Sequence, residues 1–551
     1  MKLLRYILRH DKIVLALAIV ISLITGVSSA SLVALISQRL TSQEPLSFVF
    51  IGYFMGLVLV VLLLELVAKW LLILLTVWNS YHLRMQLSRQ ILATPLRHLE
   101  EIGPPRLLAL LTDDVRNIAM ALNQIPSLCI SIAIMVACSL YLAWLSGLAL
   151  LTLLLLAVPA VLGHRVLQQK GQQVFAQTLY LRDQRFDHFK ALTEGTKELK
   201  LHQQRRNTFL DEVLEPTAAA LQKKRIIART WHEIASTWSQ TLYFVFILGL
   251  FTLAAIRNTN LEILTGYALV ALYMKAYVAR FLSALPNWSR AEVSLNKIES
   301  LGFSLEAPDE KFDLQKPTLS TPLCLELKGI THTYTRDFDG RRFMLGPIDL
   351  MFMSGELIFL IGGNGSGKTT LIKVLMALYT PEAGQICLNG CPITDGMLES
   401  YRQNFSVIFS DFYLFEQLLG LEESNLDAET YNYLVKLQLE HKVSIKNGHL
   451  STTNLSTGQR KRLALLTAYL EDRPIYIFDE WAAGQDPMFK EIFYRQLLPE
   501  LKARGKLIIV ISHDDHYFEV ADRIIKLDYG QIEEDKCFKS PIYKLCGHRS
   551  S

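Results

Sequence analysis

The sequence predicts two parts: an all-α membrane domain of six spanning helices, then an α/β domain built on a phosphate-cradling glycine loop. Three observations predict this. Long apolar runs recur through the first half of the 551 residues. Beyond residue 322, short apolar strands alternate with helical periods. GGNGSGKT stands where such a strand gives way to a helix. Hydrophobic residues make up 51% and charged ones only 20%, which places much of the chain in lipid. The net charge of +4 is small, and no stripe of cations with interleaved aromatics marks a nucleic-acid surface. Seven cysteines are scattered without a CxxC pair, the usage of reduced thiols.

The membrane domain is expected over 1–287. Its apolar runs cover 13–36, 48–77, 125–145, 148–167, 238–256 and 263–285, and each is long enough to span a bilayer. The basic start MKLLRYILRHDK reads as an interfacial helix ahead of an uncleaved first span. Only Ser146 and Gly147 separate spans three and four, which implies a tight hairpin. The loops after spans one, three and five are short and poor in cations. Those after spans two and four are long and carry Arg84, Arg89, Arg97, Lys197, Lys200, Arg205 and Arg206. The cationic side is the cytoplasmic one, so both termini and both long segments are expected there. Helical periodicity in those segments predicts spanning helices that continue outward and turn back near 101–105 and 194–200. Glu65 and Lys69 stand four apart on one helix face and can pair. Lys275, in the last span, is a candidate for a polar cavity that meets an anionic or polar ligand; snorkelling or pairing is the plainer alternative.

A linker is expected over 288–321 and the α/β domain over 322–551. In the glycine loop, Gly363, Asn364, Gly365, Ser366, Gly367, Lys368, Thr369 and Thr370 are the candidate phosphate contacts. Backbone N–H groups turn inward around oxygen, and the helix start adds positive potential. Lys368 would reach the terminal phosphates and Thr369 would place a hydroxyl on Mg²⁺. PIYIFDE, at 474–480, is a buried strand that delivers two carboxylates at its end. Asp479 is the candidate for holding the metal, and Glu480 for activating water. LSTGQRKRLALL, at 455–466, reads as a helix capped by Ser456.

Together these three motifs resemble those of ATP-binding cassette transporters, over essentially the whole chain. The resemblance implies ATP and Mg²⁺ as cofactors and ATP hydrolysis coupled to transport. It implies that Ser456, Gly458 and Gln459 meet nucleotide held by a second copy, so a homodimer is expected. It assigns Tyr334 to stacking on adenine, His513 to the γ-phosphate, and Asp486 to the D-loop, here GQDP. In VIFSDFYLF, at 407–415, Ser410 stands where the family's metal-side Gln usually stands and Asp411 follows; either is a candidate ligand. Six spans ahead of one cassette resemble an exporter. GGNGSGKTTL, FDEWAAGQDP, ISHDDHYF and LLTDDVRNI are similar to the cyclic-peptide and siderophore-peptide exporters of Gram-negative inner membranes, a group that includes the microcin J25 exporter and the pyoverdine-precursor exporter. The expected cargo is a modified or cyclic peptide: a peptide siderophore, its precursor or a microcin-like peptide. A lipid or multidrug exporter shares every ATP-site residue, and an ATP-gated channel or sensor is the reading from another class.

Overall fold

In lipid every backbone polar group must be satisfied within the chain, and helices do that segment by segment. The computed structural model describes residues 12–41, 47–145, 147–256, 261–303, 322–335, 342–421 and 426–538. Six of its helices are long and apolar enough to cross a membrane. The long ones are α1 (Lys12–Thr41), α2 (Phe48–Ala93), α4 (Val115–Leu145), α5 (Gly147–Glu194), α7 (Glu215–Ile256) and α8 (Leu261–Ser300). Between them lie the short α3 (Leu96–Ile102) and α6 (Thr196–Leu201). The interfacial helix expected over 1–12 lies almost wholly outside the described residues, as does Ser146 of the hairpin.

The 46 residues of α2 and the 48 of α5 are continuous helix. At 1.5 Å per residue each runs about 70 Å, against about 30 Å of bilayer core. The long cationic segments are therefore extensions of the spans. The first turn-back uses Gly103, whose φ of +82° favours glycine. The helix expected to end at 285 runs on to Ser300, so the beginning of the stretch expected as linker is helical. Ala291, Leu295 and Ile298 explain this: they form a buried stripe at helical spacing. Residues 304–321 lie outside the described residues.

The chain divides into two compact units, Met1–Ala93 with Ile102–Asp309, and Thr94–Glu101 with Glu310–Ser551. In the first unit, small residues set the helix spacing. A Cβ on Gly26 would stand 2.5 Å from that of Ala133, and one on Gly163 would stand 2.2 Å from the Trp238 indole nitrogen. Buried Asp114 accepts from Ser294 Oγ and Lys297 Nζ, both at 2.9 Å, and so ties the start of α4 to the end of α8. Glu65 pairs with Lys69 at 2.7 Å, as their spacing predicts.

The second unit holds two main sheets. One has four strands in the order β2 (Arg342–Met353), β1 (Cys324–Thr335), β4 (Ala383–Leu388), β5 (Cys391–Pro392). The other has six, in the order β12 (Gln531–Cys537), β11 (Arg523–Asp528), β3 (Leu357–Ile361), β10 (Leu507–Ile511), β9 (Ile475–Asp479), β6 (Phe405–Ile408). A two-residue hairpin, β7 (Ile445–Lys446) and β8 (His449–Leu450), stands apart. Strands β11, β3, β10, β9 and β6 are mutually parallel. Their residues alternate between two cores. Phe359, Tyr476, Phe478 and Val510 enter one, and Leu360, Ile475, Ile477 and Ile509 enter the other. Both faces are thus covered, as a parallel sheet requires. Residues 94–101 also belong to this unit. Leu96 packs against its core, and Glu100 accepts from Lys373 Nζ at 2.7 Å and from the Tyr379 hydroxyl.

Asp114→Ala leaves Ser294 and Lys297 without their acceptor in a tight helix contact. The expected loss is about 2 kcal/mol, read as an earlier thermal transition of the detergent-purified chain; an unchanged transition would show that the pair carries no stability.

Candidate functional site

The register of β3, β10 and β9 assembles the site. Ile511 pairs with Leu360 on one side and with Asp479 on the other. The glycine loop and the two acids therefore leave the same edge of the sheet. Gly362 has φ of +147°, and a Cβ there would lie 2.2 Å from the Leu527 carbonyl oxygen. Gly367 has φ of +102°, with the Phe343 ring 2.9 Å from where a Cβ would stand. No side chain fits either position. Helix α9 (Lys368–Leu375) begins at once, and its first N–H groups have no intrahelical acceptor. Gly363, Asn364 and Gly365 are exposed along the loop, and Thr370 is half-buried in the first turn.

Lys368 is buried and donates to the carbonyls of Gly362, at 2.9 Å, and Gly363, at 3.0 Å. Burial pushes its ammonium pKa down, against the pull of Glu480 and Asp479. Ser366 Oγ is buried without a hydrogen-bond partner among the described residues. An orphaned hydroxyl beside a buried ammonium and a free helix start form a cradle that fits phosphate.

Thr369 Oγ1 donates to Asp479 Oδ2 at 3.3 Å. Burial pushes the Asp479 pKa up, and the Glu480 charge adds to this; the Thr369 hydroxyl and the Ser410 backbone N–H pull it down. Among the described residues no group of three or more His, Cys, Asp or Glu is placed to hold a metal. Mg²⁺ does not need one, because it takes one or two protein ligands and completes its shell with water and phosphate. Thr369 and Asp479 fit that pattern. Ser410 joins them through its N–H, while its side chain and that of Asp411 are exposed.

Glu480 follows Asp479 with φ of +50°, unusual for a residue with a side chain. Its carboxylate lies 3.5 Å from His513 Nε2, and His513 follows the end of β10. A lysine that sequence reasoning did not single out braces this bend. Lys461 is buried in α10 (Thr457–Glu471) and donates to the carbonyls of Glu480, at 2.9 Å, and Ala483, at 2.8 Å. The buried Trp481 indole returns a bond to the Lys461 carbonyl at 2.8 Å. The available signal was a large aromatic directly after the second acid.

The α10 start is a capping box: Ser456 Oγ accepts from Gln459 N–H, and Gln459 Oε1 accepts from Ser456 N–H. The bonds of this loop run to the D-loop stretch. Gln485 donates to the Gly458 carbonyl at 3.0 Å and accepts from Arg462, which also pairs with Asp486. Asp486 caps the following helix through Phe489 N–H. Tyr334 lies in β1 opposite Phe343, but its side chain lies outside the described residues. Lys275 belongs to the other unit.

Residues 345–483 match the ABC transporter family, and residues 12–274 match the ABC transporter transmembrane region. The chain is 37% identical over 530 residues to the ATP-binding protein SyrD of Pseudomonas syringae pv. syringae, covering 94% of this chain and 93% of that one. The chain belongs to the ABC transporters. Within this family it is also 31% identical to the ATP-dependent lipid A-core flippase of Alkalilimnicola ehrlichii, over 47% of each chain. A bacterial Atm1-family ABC exporter solved with ATP bound shares the fold of this transporter, at TM-score 0.77 and 14% identity, with 96% of this chain and 95% of that one covered.

Two outcomes follow from the metal side. A raised Asp479 pKa means that the ionised carboxylate costs stability. Stability therefore falls as pH rises from the ordinary value of 3.8 through the raised one, and stays lower above it. Without nucleotide or metal at pH 7.5, Asp479→Asn is expected to raise the cassette's melting temperature by about 2 °C, with the gap closing toward pH 4. A lower melting temperature would contradict this. Ser410→Ala keeps the backbone N–H, so the Mg²⁺ concentration for half-maximal ATPase should stay within about twofold of wild type; a tenfold rise would place the hydroxyl itself at the metal.

Proposed function

We propose that this transporter exports a modified or cyclic peptide by ATP-driven alternating access, as a homodimer in the bacterial inner membrane with its cassettes in the cytoplasm. One observation carries the hydrolytic part: the Thr369–Asp479 pair lies beside a buried Lys368, with Glu480 next in the chain and facing His513. Bound Mg²⁺ supplies charge neutralisation at the phosphates. Lys368, Ser366 and the start of α9 hold the phosphate oxygens, and Thr369 and Asp479 hold the metal. Glu480 orients the attacking water and takes its proton, and His513, 3.5 Å from that carboxylate, contacts the γ-phosphate. Ser456, Gly458 and Gln459 meet nucleotide on the second copy, Asp486 serves the D-loop, and Tyr334 stacks on adenine.

The peptide part is supported by the likeness of GGNGSGKTTL, FDEWAAGQDP, ISHDDHYF and LLTDDVRNI to peptide exporters; the extent of the matches sets one relative apart from the other. SyrD matches through both the membrane region and the cassette, whereas the flippase of A. ehrlichii matches over less than half of the chain. The flippase relatives favour a second reading, a lipid exporter with the same ATP site.

Inside-out vesicles holding the full chain should accumulate an amphipathic cyclic peptide against its gradient when given ATP and Mg²⁺. Glu480→Gln should still bind ATP but lose turnover and uptake by at least about 100-fold. ATPase that responds to lipid and to no peptide would instead favour the lipid reading, and uptake that stops at equal concentrations would indicate a channel.

A further inference from the structure

The first unit has a half-open pocket of about 350 Å³ between α5, α7 and α8. His164, His232, Ser236, Gln240, Lys275 and Ser283 supply polar groups to its wall, and no carboxylate does. Measured along the helices from their short-loop ends, Lys275, His164 and His232 lie about 21, 26 and 36 Å away. The pocket thus runs from the inner half of the roughly 30 Å bilayer core to just past its edge, on the side of the long helical extensions.

Two of its groups lack what they need. Lys275 meets only the Phe244 ring, 4.3 Å from its ammonium, and among the described residues no acid comes within ion-pair distance. An aromatic face offsets part of a positive charge in lipid, not the whole of it. His164 is buried, and its Nδ1 lies 3.0 Å from the Ala235 carbonyl. That carbonyl can only accept, and Ser239 Oγ, 3.1 Å from Nδ1, gives its own proton to the same carbonyl, so Nδ1 is the donor; in the neutral ring Nε2 then presents a lone pair. Nε2 is buried and has no partner among the described residues. The neighbouring polar groups are already engaged: Ser239 Oγ with the Ala235 carbonyl, and the Tyr243 hydroxyl with that of Ala271.

We propose that this pocket is a cargo subsite that takes a carboxylate on Lys275 and an N–H or O–H donor on His164. An acidic residue of a peptide supplies both, through its side chain and its amide. The volume suits one residue of the cargo, not the whole molecule. A lone ammonium matches a single negative charge; a phosphate dianion would leave charge uncompensated at this depth. The inference rests on the peptide-export reading and refines it to peptides that bear an acid.

The test is equilibrium binding to the full chain in lipid nanodiscs, read by quenching of tryptophan fluorescence; Trp238 adjoins Ser239 in the wall. The probes are two amphipathic cyclic peptides that differ only by Glu in one and Gln in the other, with phosphatidic acid as a third. The Glu peptide should bind wild type and Lys275→Arg about tenfold more tightly than its twin, and Lys275→Gln should bind both alike. Equal binding of the twins by wild type, or a preference that survives in Lys275→Gln, overturns the subsite alone. Wild type that binds neither peptide overturns peptide export and the subsite with it. Sensitivity to Lys275→Gln for phosphatidic acid and not for the Glu peptide overturns it in favour of a lipid phosphate.

Discussion

The parallel register of three buried strands is the constraint on which the cassette half depends. Leu360, Ile511 and Asp479 lie in one row across β3, β10 and β9. Parallel strands release their next residues at one edge, and here those are the glycine loop, the stretch leading to His513, and Glu480. A one-residue slip would turn Asp479 to the opposite face and separate it from Thr369. The apolar residues that alternate into two cores hold that register. Packing far from the glycine loop thereby sets the 3.3 Å contact between Thr369 and Asp479 beside it.

The edge also stores strain, and a second layer of polar contacts supports it. Left-handed backbone at Glu480 costs on the order of 1 kcal/mol or more and persists only where its surroundings over-determine it. Lys461 supplies that support by bonding the carbonyl of Glu480 itself and that of Ala483, three residues on. Because Lys461 sits on α10, the helix whose first residues are proposed to meet the second copy's nucleotide also holds the proposed base of this copy's own site. Gln485 adds a parallel tie from Gly458 to the D-loop. Movement of the α10 start is therefore felt at Glu480 through bonded groups.

What was legible in the sequence follows from range. The glycine loop, the apolar strand before Asp479 and the six spans are local patterns, and local patterns survive folding. The helical extensions were legible because periodicity continued past the apolar runs. The α8 extension to Ser300 was masked by Pro286 and by polar residues around the buried stripe of Ala291, Leu295 and Ile298. Lys461 looked like part of a basic helix face, since only the fold brings it to carbonyls about twenty residues onward. Ser410 was legible as a position and not as a group, because its backbone, not its hydroxyl, reaches Asp479. The attachment of residues 94–101 to the second unit rests on Glu100, Lys373 and Tyr379, which lie far apart in the chain.

The membrane half resolves its charges in two ways, and the contrast locates its chemistry. Glu65 and Lys69 neutralise each other on one helix, an arrangement that needs nothing from outside. Asp114 and Lys297 do the same between two helices. Lys275 has an aromatic ring and a pocket free of acids. A charge retained in lipid without a fixed counter-charge costs stability in every state in which its pocket is empty. Such a cost is kept where a partner arrives during function. A partner that must later leave has to be held weakly enough to go, and one ion pair with one accepted hydrogen bond meets that requirement better than a fixed carboxylate would.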